Sequence, residues 1–186
     1  MQRKEYNHAL VTVSTGGSMI ITRETTIAIV GLCSDPRFNI VPGPRIQQLR
    51  GALGVDFVVM LSVPGIVAKY QNQEAGDLMT HIHRVAWEDN LMTHYKMHNP
   101  CVVGIASHEG CGGFDGNMAT QRCAAVTAAH ILEDRLRTLY GVTLDVVPLF
   151  EQRLKEEQWR VCKLNRDMED VPFEVPPIMP VPIYYA

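Results

Sequence analysis

Three short runs of consecutive apolar and β-branched side chains stand out along an otherwise mixed sequence. They occupy residues 25–32, 55–63 and 101–106. A strand that is covered on both faces needs no alternation of polar and apolar residues, so such runs are typical of the central strands of a parallel sheet. The pattern therefore predicts three buried parallel strands.

Helical periodicity appears between and after these runs. Between the second and the third run, apolar side chains recur at helical spacing at Leu78, Ile82, Val85 and Met92. After the third run, a longer apolar stripe predicts a helix over residues 117–140, which Gly141 would end. Strands that alternate with helices in this way favour an α/β fold, in which a central, mostly parallel sheet carries helices on both faces.

The segment after this long helix gives a weaker signal. Residues 143–147 and 159–164 are candidate strands, and they flank a segment in which a short helix is predicted to begin at Pro148. No repeat, low-complexity tract or internal boundary interrupts the chain. A single domain over residues 1–186 is therefore predicted.

The two ends of the chain depart from the central pattern. Residues 1–24 alternate apolar and polar side chains around Thr15-Gly16-Gly17, which predicts a hairpin laid on the domain rather than a part of its central sheet. Residues 171–186 contain five prolines among apolar side chains, so they cannot form a helix. We expect this segment to be an extended arm that lies on its own domain or on a second subunit.

Charge and composition narrow the classes of partner. Lys plus Arg total 17 against 20 for Asp plus Glu, which gives a net charge of -3 and no general attraction for nucleic acid. No apolar run approaches the roughly 18 residues of a membrane span, and the first residues are too polar for a secretory signal. These features predict a cytoplasmic protein, in which each of the five cysteines is core filler, metal ligand or nucleophile.

The polar residues that directly follow two of the buried runs carry the candidate chemistry. Cys33 and Asp35 follow the first run, and His108 and Cys111 follow the third. The carboxyl ends of parallel strands meet at one edge of the sheet, so Cys33, His108 and Cys111 converge if these two strands are neighbours. Two thiolates and one imidazole are a suitable ligand set for zinc, and they leave its fourth position open.

Two short motifs in these loops resemble the active-site signature of the beta-class carbonic anhydrases. Residues 33–37 read Cys-x-Asp-x-Arg, and residues 108–112 read His-x-x-Cys-Gly. The resemblance extends over roughly residues 25–140 and includes the order of the strands that the motifs follow. Neither motif alone is specific, whereas their combination at the ends of two strands is fairly specific.

The resemblance implies a zinc lyase that hydrates carbon dioxide reversibly to bicarbonate by a metal-bound hydroxide. Cys33, His108 and Cys111 would be the zinc ligands. Asp35 and Arg37 would be the catalytic acid–base pair beside the metal, and either Asp35 or a water molecule would fill the fourth zinc position. Members of the family work as dimers or multiples of dimers, so the resemblance also implies a homodimer or a higher homo-oligomer.

Departures from the family pattern keep other functions open. Pro36 replaces a serine, and residues 62–65 read Ser-Val-Pro-Gly where the family has Arg-Asn-Ala-Gly, so a pocket arginine is missing. An alternative to carbon dioxide as the substrate is another small electrophile, such as carbonyl sulfide or carbon disulfide. A second alternative is a non-catalytic, zinc-stabilised module, and a more distant one is a cysteine hydrolase with Cys33 as nucleophile and His108 as base.

The remaining polar clusters are interpreted as structural. His94 and His98 lie four residues apart on a predicted helix without a third ligand, which is more typical of a solvated helix face than of a metal site. The charged cluster at residues 133–137 is interpreted as the solvent-exposed side of the long helix. Core or boundary positions are predicted for Cys101, Cys123 and Cys162.

Overall fold

A computed structural model of the chain describes residues 9–15, 19–34, 42–71, 78–112, 117–155 and 158–176. Within these residues the chain forms two sheets and four helices, in the order expected for an α/β fold. The general α/β prediction is therefore confirmed.

The N-terminal hairpin is separate from the central sheet, as the alternating pattern predicts. Its strands β1 (Ala9–Thr15) and β2 (Met19–Thr25) pair antiparallel and form a two-stranded sheet of their own. The position of the hairpin against the rest of the domain stays a prediction.

The central sheet is mixed and six-stranded. Its strands are β3 (Ile27–Leu32), β4 (Phe57–Ser62), β5 (Val102–His108), β6 (Asp145–Lys155), β7 (Gln158–Leu164) and β8 (Asp170–Val171). They lie in the order β4-β3-β5-β6-β7-β8, and the first four are parallel to one another. Strand β7 pairs antiparallel with β6, and β8 pairs antiparallel with β7. The three apolar runs therefore form three adjacent parallel strands, as predicted. The burial predicted for all three is wrong for β4, because it is an edge strand in which Phe57 and Met60 are exposed.

Helices cover both faces of this sheet. They are α1 (Pro42–Leu53), α2 (Ala68–Gln71), α3 (Leu78–His98) and α4 (Met118–Tyr140). Val30 of β3 packs with Leu49 of α1 on one face, whereas Ile29 packs with residues of α2, α3 and α4 on the other. Alternate residues of one strand thus serve two hydrophobic cores, which explains why the run lacks polar positions.

The long helix α4 begins and ends where the sequence predicts. Asn117 is its N-cap, and its side chain accepts a hydrogen bond from the backbone N–H of Thr120. Gly141 follows the last turn in the left-handed conformation, with φ 68°, and its N–H bonds to the carbonyl of Leu136. Both ends therefore satisfy backbone groups that a helix terminus leaves unpaired.

The prediction of a short helix that begins at Pro148 is wrong. Pro148 lies inside β6, where it pairs in register with Ile105 of β5. Pairing of β6 with β7 starts only at Leu149, so no hydrogen bonds join the two strands at Pro148. The N–H that proline lacks is therefore not needed on that side of the strand. Strand pairing on both sides of the following residues outweighs the local helix-start signal.

The described part of the C-terminal arm lies on its own domain. Residues 172–176 are not helical, as predicted, and they pass so close to α1 at Gly51 that an added Cβ would clash with the carbonyl oxygen of Glu174. A groove of about 670 Å³ runs between α1, β7 and this segment, and none of the predicted zinc ligands lines it. Residues 177–186 lie outside the described part of the chain.

Candidate metal centre

The candidate site lies where the chain connections of two neighbouring parallel strands diverge. β3 and β5 are adjacent, and the helix that follows β3 packs on one face of the sheet, whereas α4, which follows β5, packs on the other. This divergence opens a crevice at the carboxyl ends of the two strands, which is the usual ligand position in α/β sheets. Cys33 directly follows β3, His108 ends β5, and Cys111 lies in the turn beyond it.

The structure brings the three predicted ligands together. One ligand atom from each of Cys33, His108 and Cys111 lies within 4.8 Å of the other two. His108 and Cys111 are buried, and Cys33 is half-buried. Two sulfurs and one imidazole nitrogen at such separations form a group that could hold a metal ion.

Hydrogen bonds favour the thiolate form of Cys33. The Cys111 thiol, the His108 imidazole and the backbone N–H of Gly65 lower the pKa of Cys33 from 9.0 to about 4, although burial opposes them. The backbone nitrogen of Gly65 lies 3.2 Å from Cys33 Sγ. Gly65 has a φ of 57°, a left-handed conformation that favours glycine. A thiolate is the form that binds metals, so the side chain is prepared for ligation before an ion arrives.

The turn after β5 fixes the tautomer of His108. Its Nδ1 lies 3.1 Å from the carbonyl oxygen of Glu109, which can only accept, so Nδ1 carries the proton. Nε2, the nitrogen available to bond with Cys33, is then the one that could bind a metal ion once it gives up its proton. Glu109 donates its own N–H to the carbonyl of Glu151 at 2.9 Å, and Gly110 turns the chain toward Cys111 with φ 71°.

Residues 62–65, which differ from the Arg-Asn-Ala-Gly of the family that the motifs resemble, contact Cys33. Besides the bond from Gly65 to Cys33, Ser34 donates its N–H to the carbonyl of Val63 at 3.3 Å, and Val63 donates to Leu32 at 3.0 Å. The sequence signalled this stretch only as a departure from the family motif. The structure places this stretch against the site through the backbone groups of Val63 and Gly65.

Sequence reasoning missed an ion pair beside the ligands. Arg45 of α1 donates two hydrogen bonds to the carboxylate of Glu151 in β6, with Nε–Oε1 2.6 Å and Nη2–Oε2 2.8 Å. Glu151 is paired in register with His108 of the neighbouring strand. A strand predicted to continue through Pro148 would have placed Glu151 beside His108. The proline instead indicated a helix start.

Asp35 and Arg37, the predicted catalytic pair, lie outside the described residues, as do Pro36 and residues 113–116. Their position beside the ligands stays a prediction. The described chain resumes at the start of α1, which carries Arg45.

The other cysteines have no place at this centre. Cys162 is buried and Cys101 is half-buried, and burial raises the pKa of both thiols, as is typical of structural cysteines. Cys123 is exposed on α4, so the core or boundary position predicted for it is wrong. The pair His94 and His98 stacks with ring centroids 5.4 Å apart on α3.

The lowered pKa of Cys33 gives a testable pH dependence in metal-free protein. Its folded-state pKa of about 4 is below the ordinary value, so its contribution to stability is complete above the unfolded pKa and is lost as the pH falls toward 4. We expect iodoacetamide to alkylate Cys33 readily at about pH 6, where an ordinary thiol is almost wholly protonated. Peptide mass spectrometry would measure the rate, with the exposed Cys123 as reference, and equal rates would contradict a stabilised thiolate.

Two findings describe the chain as a whole. In the part of the chain that the structure describes, no helix is both long and apolar enough to cross a membrane. Comparisons of the chain with protein-family models, with curated proteins and with solved structures gave no match.

Proposed function

We propose that Cys33, His108 and Cys111 bind zinc and that the protein is a divergent beta-class carbonic anhydrase, which hydrates carbon dioxide reversibly to bicarbonate. The observation that carries the proposal is the convergence of the three ligand atoms within 4.8 Å at the carboxyl ends of two parallel strands. The two motifs that resemble the family's signature contribute these same three residues.

The donor set suits zinc in geometry and in charge. Zinc–sulfur bonds near 2.3 Å and zinc–nitrogen bonds near 2.0 Å, arranged tetrahedrally, separate the ligand atoms by about 3.5–3.8 Å. The observed separations, at most 4.8 Å, allow this arrangement with small side-chain movements. Two thiolates balance the double positive charge of the ion, and three protein ligands leave one position for reaction.

When bound, zinc would lower the pKa of a water molecule to about 7 and so supply hydroxide at neutral pH. Asp35 is the expected hydrogen-bond acceptor at that position, and Arg37 is expected to keep its carboxylate ionised. The N–H of Gly65 draws charge from the Cys33 sulfur and so weakens the neutralisation of the ion by its ligands. Carbon dioxide is small and linear, so apolar walls would suffice to admit it.

Zinc analysis combined with stopped-flow hydration of carbon dioxide tests the proposal. We expect one zinc per chain and a rate well above buffer between about pH 7 and 9. Asp35→Ala should retain zinc and lose about 10²–10⁴-fold in rate, which is the usual contribution of a general acid–base group. Asp167→Ala, in the exposed turn after β7, is the control and should be unchanged. Zinc-loaded protein without any hydration activity would contradict the assignment.

A second candidate function is hydrolysis of carbonyl sulfide or carbon disulfide at the same site. The observation that favours it is the contact of the Val63–Gly65 loop with Cys33, because this loop lacks the family's pocket arginine. Release of sulfide from these substrates would distinguish it from carbon dioxide hydration. If Asp35→Ala alters no reaction and chelation unfolds the protein, zinc has a structural role instead.

A further inference from the structure

Glu151 is a buried carboxylate at the edge of the metal centre. Its side chain is 2% exposed, and both of its oxygens accept hydrogen bonds from the guanidinium of Arg45. The pair joins β6 to α1, the helix that follows Asp35 and Arg37 in the sequence. Burial of this pair removes its charges from water, which has a desolvation cost.

Strand pairing places this carboxylate next to a metal ligand. Glu151 and His108 are register partners on adjacent parallel strands, which lie about 4.8 Å apart, so their side chains project from the same face of the sheet. The backbone carbonyl of Glu151 also accepts the N–H of Glu109, whose own carbonyl fixes the His108 tautomer.

The electrostatic coupling between Glu151 and the ligands is mutual. Burial raises the pKa of Glu151, the charges of Arg45 and His108 lower it, and the charge of Cys33 raises it further. Since Glu151 is the register partner of His108, its charge and that of an ion bound at the ligands would lie close enough to interact.

We propose that Glu151 is a positioning residue of the metal centre, whose negative charge offsets that of Arg45 beside His108 and so increases affinity for a divalent cation. The inference rests on the metal site of the proposed function, and it adds a residue to which no motif points. Without this carboxylate, Arg45 would lose the negative charge and the two hydrogen bonds that Glu151 supplies one strand away from His108.

The fold supplies a matched control for this pair. Glu88 of α3 and Arg135 of α4 form an ion pair of the same geometry, with Nε–Oε1 2.7 Å and Nη2–Oε2 2.8 Å, and Glu88 is fully buried. It joins two helices on the face of the sheet opposite to α1. Glu88→Gln therefore removes the same charge and the same two-bond contact with an arginine as Glu151→Gln, without acting on His108; it also affects the bonds that Glu88 accepts from Tyr70 and Tyr140.

Competition for Zn²⁺ between the protein and a chromophoric chelator is the test, with Co²⁺ absorption as a second readout of the ligand field. We expect Glu151→Gln to bind Zn²⁺ about 10–100-fold more weakly than wild type, as partners of metal ligands typically do when replaced. Glu88→Gln should stay within about threefold. The double variant Arg45→Gln/Glu151→Gln restores neutrality, so it should recover most of the lost affinity.

Several results would overturn the inference. One is a Zn²⁺ affinity of Glu151→Gln that lies within about threefold of wild type or equals that of Glu88→Gln. Another is a double variant that binds Zn²⁺ as weakly as Glu151→Gln alone. If Glu151→Gln does not fold, the variant Arg45→Gln is the test. It leaves no excess positive charge in the pair, so its Zn²⁺ affinity should equal or exceed that of wild type. A tenfold loss of affinity would refute the inference. Wild-type protein that binds no Zn²⁺ would refute the proposed function as well, whereas a zinc-replete wild type with an unaffected Glu151→Gln refutes the inference alone.

Discussion

Replacement of any one of the three ligands is expected to remove stoichiometric zinc from the protein. Cys33→Ser, Cys111→Ser and His108→Ala each delete one of three protein ligands. Structural zinc sites bind with about 10–16 kcal/mol in total, so the loss of one ligand should cost about 3–5 kcal/mol, or roughly 10²–10⁴-fold in affinity. Carbon dioxide hydration should fall to the rate of buffer in all three variants.

Elemental analysis of the purified variants, followed by chelator competition, measures this loss. Cys123→Ser is the control, because Cys123 is exposed on α4 and no ligand lies in that helix. It should retain one zinc per chain and full activity. Stoichiometric zinc in Cys33→Ser would contradict the centre, because no other group of three ligating residues is found in the described part of the chain.

The ligand triad was predictable because two independent patterns lead to it. Apolar runs locate the ends of buried strands, and polar residues directly after those ends can converge only if the strands are neighbours and parallel. The structure confirms both conditions for β3 and β5, and it brings Cys33, His108 and Cys111 together. The identity of the ion and the reaction depend on the family resemblance, and they stay proposals.

The surroundings of the triad were not predictable, because they depend on contacts between distant segments. Gly65 contacts Cys33 across 32 positions of sequence, and Arg45 contacts Glu151 across 106. No local periodicity encodes either contact. In the second case a local signal was misleading, because Pro148 indicates a helix start in isolation but lies in a strand that its neighbours stabilise.

Arg135 shows the same limit of local reasoning on the other face of the sheet. Its cluster at residues 133–137 was predicted to be solvent-exposed, and Asp134 and Arg137 are indeed exposed. Arg135 instead reaches Glu88 of α3 with two hydrogen bonds, because its long aliphatic stem can lie along the helix surface while its guanidinium enters the core. Its partner is 47 positions away, beyond the range of any helical pattern.

Arg135→Met is expected to destabilise the fold by about 3–5 kcal/mol, because it leaves the carboxylate of Glu88 buried without its countercharge. The hydroxyl of Tyr70 still donates to Glu88 at 3.1 Å, and Tyr140 does so at 3.4 Å, which favours the lower end of this range. Two neutral donors cannot replace a guanidinium that engages both oxygens.

Arg137→Met is the matched control, since it removes the same side chain from the same helix. Arg137 pairs with Asp134, but the two side chains are 62% and 60% exposed, so water screens the interaction. We expect urea unfolding of zinc-loaded protein to show a large fall in midpoint for Arg135→Met and almost none for Arg137→Met. Zinc stoichiometry should be unchanged in both, because neither arginine approaches the ligands. Equal midpoints would mean that Glu88 satisfies its charge without Arg135, and that burial alone does not decide what an ion pair contributes to this fold.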